Sequence, residues 1–120
     1  MRVNDFGRKA RVMRLERDLS LKEMADAMLI SSAHLSGLEY GDKKLNEAHI
    51  EMAVSFFRSH GASESELEEL RLAGARSFDS VSLKSLDGDA RAKVYAFARR
   101  LQEGDRPPSE EIENWIKRRQ

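Results

Sequence analysis

Three histidines, two pairs of adjacent carboxylates and one cluster of small hydroxyl residues are the side chains whose types could do chemistry in this chain. His34, His49 and His60 are scattered and share no metal-ligand spacing, and the absence of cysteine excludes thiolate sites and disulfides. Glu68-Glu69 and Glu110-Glu111 fall on polar helix faces with no pocket in evidence. No Gly-rich phosphate loop follows a strand, because strand signals are nearly lacking. These residues argue against an enzyme, and neither a metal nor a cofactor is expected. What remains is the stretch Ser31–Glu39, a short helix whose open face is small, polar and mostly uncharged. Such a helix can enter the major groove of duplex DNA.

A groove-entering helix must be pinned by others, and the rest of the sequence supplies them. Leu, Ala, Glu and Arg abound and proline is scarce, which points to an all-α fold. Phe6, Ala10 and Met13 recur at helical spacing over residues 6–17. Ser20 with Glu23 forms a capping box for a second helix that turns Met24, Ala25 and Met28 inward. Ser31 caps the third, with Leu35 and Leu38 inward and Gly41 at its end. Asn46 caps a fourth helix carrying Ile50, Ala53, Val54 and Phe57, and Ser63 with Glu66 opens a fifth with Leu67, Leu70 and Ala73. Phe78 to Leu86 breaks the period, and Val81 to Leu83 is too short an alternation for a strand. Asp87 caps a sixth helix bearing the seam Ala90, Val94, Phe97 and Leu101. Ser109 caps a last one bearing Ile112, Trp115 and Ile116.

Residues 20–41, and more widely Phe6 to Phe57, resemble the helix-turn-helix of the Cro and phage-repressor (Xre) family. The resemblance implies a five-helix Cro/phage-repressor-like fold, with DNA binding in residues 1–61 and residues 62–120 a helical extension for dimerisation or partner binding. It implies that Ser32, Ala33, Gly37 and His34 face the groove. Lys22, Ser31, Ser36, Tyr40, Lys43 and Lys44 then flank that turn and suit phosphate contacts. No Arg, Asn or Gln stands here for a bidentate base contact, so DNA shape and half-site spacing would carry much of the specificity. The family pairs a first-helix arginine with the glutamate before the closing glycine, which gives Arg14 and Glu39 here. Where the family commonly has glycine at the bend, this chain has Leu29, at a cost of roughly 1–2 kcal/mol if the backbone is left-handed.

Net charge is zero, but residues 1–17 hold six basic residues against two acidic, and residues 62–70 hold four glutamates and no base. A positive face is compatible with that balance, and nonspecific binding should be weak. No signal peptide or bilayer-spanning run is visible, so a cytoplasmic protein of a prokaryotic cell, phage or plasmid is expected. Double-stranded DNA is the expected partner, read by a homodimer acting as a repressor. The seam Val94, Phe97 and Leu101 and the patch Ile112, Trp115 and Ile116 either form the dimer contact or fold back on residues 47–73. The alternative is an antitoxin-like module whose extension masks another protein such as a toxin.

Overall fold

The computed structural model describes residues 2–77, 80–104, 106 and 110–118, and every regular element among them is helical. The chain divides into two compact units, Met1–Asp79 and Ser80–Gln120. The first holds α1 (Asp5–Glu16), α2 (Leu21–Ala27), α3 (Ser32–Tyr40), α4 (Glu47–Arg58) and α5 (Glu64–Ala75). The second holds α6 (Gly88–Gln102) and α7 (Glu110–Lys117). No helix among the described residues is long and apolar enough to cross a membrane.

Each helix of the first unit starts where a side chain can take over an orphan backbone N–H. Ser20 and Glu23, and Ser63 and Glu66, form reciprocal capping boxes at α2 and α5. Ser31 accepts from the His34 N–H at α3. At α4 the box is Asn46 with His49, a histidine ring nitrogen standing where a glutamate usually reaches back. Gly41 closes α3 in the left-handed conformation, φ 82°.

The inward stripes form one core, made of Phe6, Ala10, Met13, Met24, Ala25, Met28, Leu35, Leu38, Ile50, Val54, Phe57, Leu67 and Leu70 with a few neighbours. α5 packs on α1 and α4, so the first unit runs past Gly61 and takes in a helix that the sequence alone places with the extension. The charge runs explain themselves in the same contact. Lys9 meets Glu69, and Arg17 meets Glu66 at 2.9 Å. The basic first helix and the acidic fifth are partners, so these opposite local charges meet in the folded unit.

In the second unit Asp87 caps α6 by accepting from the Ala90 N–H. Neither α6 nor α7 contains a buried residue. Val94, Phe97 and Leu101 are each about 40% exposed, and Trp115 is 64% exposed. The proposed cap Ser109 and the first residue of the aperiodic stretch, Phe78, lie outside the described residues.

Candidate nucleic-acid interface

The joint between α2 and α3 determines what α3 can present. Met24, Ala25, Leu35 and Leu38 are all fully buried, and Ile30 packs against the same cluster half-buried. The Ile30 N–H reaches the Ala25 carbonyl at 3.0 Å, closing the turn. Leu29 takes the left-handed conformation, φ 61°, with its side chain 85% exposed. The bend is therefore the tight one that favours glycine, kept here by a leucine whose side chain gains almost nothing from packing.

α3 is also clamped to α1. Arg14 donates to both oxygens of Glu39, at 2.6 and 3.1 Å, and both residues are buried. Arg14 also touches the Met24 sulfur at 3.1 Å, so one guanidinium links α1, α2 and α3. Arg11 adds a third contact to Glu39 at 3.3 Å and lies over the Tyr40 ring, 4.8 Å from its centre. Hydrogen bonding to Tyr40, and less so to Glu39, raises the Arg11 pKa above its already high value.

Two further residues in this clamp carry no obvious mark in the sequence. Asn4 caps α1 by accepting from the Gly7 N–H, and its own side-chain and backbone N–H groups donate to the Leu38 and Glu39 carbonyls, both at 2.8 Å. Gly7 lies so close to α3 that a Cβ built there would stand 2.5 Å from the Glu39 carbonyl oxygen. An asparagine before a helix and a glycine inside one were the available signals.

The face of α3 turned away from the core leaves Ser31 and Ala33 exposed and Ser32, His34 and Ser36 half-exposed. Three residues with expected roles at the DNA also have partners within the protein. Gly37 is buried beneath the Lys43 side chain, whose Cγ would be 2.6 Å from a Cβ at that position. Lys22 pairs with Asp26 at 2.9 Å on the surface of α2. Tyr40 is half-buried under Arg11. Lys43 and Lys44 stay exposed in the turn after α3.

The basic residues of α1 do not form an open positive face. Arg8 pairs with Asp5, Lys9 with Glu69, Arg11 and Arg14 with Glu39, and Arg17 with Glu66. Near α3, the turn residues Lys43 and Lys44 are exposed as well.

His34 and His49, each in the first turn of its helix, meet edge to face with ring centres 5.8 Å apart. Burial, and then the neighbouring His34, lower the His49 pKa below the ordinary 6.5. The Nδ1 atom of His49 accepts from the Asn46 N–H, which also requires that nitrogen to be unprotonated. Among the described residues no group of three or more His, Cys, Asp or Glu could hold a metal ion. No family model, curated protein or solved structure matches this chain.

Proposed function

We propose that this protein is a sequence-specific DNA-binding transcriptional regulator of the Cro and phage-repressor type, a dimer that represses by reading a palindromic operator in the major groove. The observation that carries the reading is the α1–α2–α3 clamp. A buried joint and a bidentate buried ion pair hold one short helix in place, while that helix keeps small and hydroxyl side chains and His34 outward. A helix that served the core alone would need no such face.

In this reading Ser32 and Ala33 meet base edges, Ala33 through a thymine methyl. Ser31, Ser36, Lys43 and Lys44 meet phosphates, and His34 lies at the edge of the groove. With few cations per protomer, binding depends only shallowly on salt: about two phosphate-contacting lysines per protomer in a dimer give a slope near −4 in log K against log salt. Selection from random duplexes followed by footprinting tests this. Two half-sites about one helical turn apart are expected, and selection of no sequence would refute it.

The partner-binding alternative draws support from one observation, the two amphipathic helices of the second unit, neither of which has a fully buried residue. A toxin-like protein captured by those helices in the presence of bound operator would join the two readings.

A further inference from the structure

We infer that His49, in the first turn of α4, is a positioning residue that latches the His34 ring on the outward face of α3, and that a proton on His49 opens the latch. The latch itself rests on the fold. Its effect on DNA rests on the reading above, in which His34 lies at the edge of the groove. The two rings come from different helices and meet edge to face with centres 5.8 Å apart, within the range of stabilising aromatic pairs. His34 is half-exposed, and the side chains around it on that face, Ser31, Ser32, Ala33 and Ser36, are too short to restrain a ring. The His49 ring is anchored. Its Nδ1 accepts from the Asn46 N–H at 3.2 Å, while the Asn46 side chain accepts from the His49 N–H at 2.9 Å. That bond fixes the tautomer, with the ring proton on Nε2.

A proton added at Nδ1 would set two donors against each other across that 3.2 Å, so the ring must turn away from Asn46, and the contact with His34 goes with it. Most charges on the packed elements are committed to one another. On α3 the carboxylate is Glu39, buried against Arg14, and Tyr40 lies under Arg11. On α4 Glu47 precedes His49, and Glu51 is tied to Arg71 of α5 at 3.0 Å. α2 packs on both helices and brings Lys22 and Asp26, paired with each other, and Glu23, held in its capping box. The turn before α4 brings the exposed Asp42, Lys43 and Lys44. The group whose charge acts on His49 is His34 itself, and it opposes a proton there.

Two variants of the full chain separate positioning from capping. His49→Gln keeps an acceptor for the Asn46 N–H, as glutamine does in capping boxes, but removes the ring. His49→Phe keeps a ring against His34 and leaves the exposed Asn46 N–H to water. Proton NMR of the free protein reads the latch in the His34 ring signals, with circular dichroism as the check of folding. Above the His49 titration midpoint, taken from the same spectra, wild type and His49→Phe should show His34 signals displaced by the neighbouring ring, and His49→Gln should not. Below it, wild type should match His49→Gln at the same pH. Affinity for a selected duplex on either side of the midpoint is compared as a ratio between proteins, so effects of acid common to all three cancel. Above the midpoint wild type and His49→Phe should bind about two- to tenfold more tightly than His49→Gln. Below it wild type should lose that advantage and His49→Phe keep it; if the Phe protein does not fold, wild type against His49→Gln decides. A His49→Gln protein whose His34 signals or affinity match wild type above the midpoint overturns the inference, as does a wild type that keeps its advantage below it. If no duplex binds any of the three, the DNA reading fails, and the His34 signals alone decide whether the latch stands.

Discussion

Replacing Arg14 by methionine, Glu39 by methionine, and both together probes the clamp where its parts are most exposed to error. Glu39 is fully buried and receives three contacts, two from Arg14 and one from the half-exposed Arg11. Losing Arg14 leaves that carboxylate with Arg11 alone, at 3.3 Å. Losing Glu39 strands a guanidinium whose side chain is 8% exposed, with the Met24 sulfur as its remaining buried contact. Removing one partner of a buried pair costs about 3–5 kcal/mol, and Arg11 should bring Arg14→Met to the low end of that range. A unit of this size has roughly 4–12 kcal/mol of stability, so either change consumes a large part of it. The double variant, with both charges gone and the volume filled, should fall within about 1–2 kcal/mol of wild type. Urea unfolding followed by circular dichroism supplies all four corners of the cycle. If each single change cost under about 1 kcal/mol and the double cost their sum, the pair would be two independent surface charges, and the argument for a rigidly held α3 would fall with it.

Leu29→Gly should stabilise the first unit by about 0.5–1 kcal/mol, the strain relieved at φ 61° less the extra freedom of an unfolded glycine; a thermal melt should rise by several degrees, and a fall would show that the leucine packs. Gly7→Ala should cost about 1–3 kcal/mol because its Cβ would press on the Glu39 backbone, whereas Gly37→Ala, which meets only the Lys43 side chain, should cost little in the same urea assay. Stability should decline in two stages as pH falls. His49 has a lowered pKa in the folded protein, so the unfolded chain binds the proton first and stability is lost as pH drops below about 6.5. Glu51, lowered by Arg71, and Glu66, lowered by the Ser63 backbone and Arg17, hold stability above their ordinary 4.5 that disappears as pH falls through their folded values. His49→Gln should abolish the first stage, measured as the urea midpoint against pH, and leave the second.

Much of this fold is legible because local signals and burial agree. The caps at Ser20, Ser31, Asn46, Ser63 and Asp87 stand where the helices start, and the inward residues of α1 to α5 follow the 3.6-residue period. What a period cannot express is which faces meet at long range. The α1–α5 contact converts an apparently positive segment into a set of internal ion pairs, and only the pairing of Lys9 and Arg17 with Glu69 and Glu66 reveals it. Gly37 is a related case: the family resemblance sets it on the outer face, and the contact with Lys43, which folds back over it from the following turn, is not written in the sequence. Phe56 is buried beside Phe57 although the stripe of α4 needs one of them, because α4 is covered on more than one side. Asn4 gave no hint of its second role, since its contacts are to backbone groups more than thirty residues away.

The claim at the centre of this account is that α3 presents its outward face to duplex DNA. Backbone amide shifts recorded while a selected duplex is added at low ionic strength test it most directly. The account predicts the largest changes at Ser31 to Ser36 and at Lys43 and Lys44, with the buried Leu35 and Leu38 side-chain signals still dispersed as in the free protein. A duplex that leaves those amides unmoved, or that shifts only residues of α6 and α7, contradicts it.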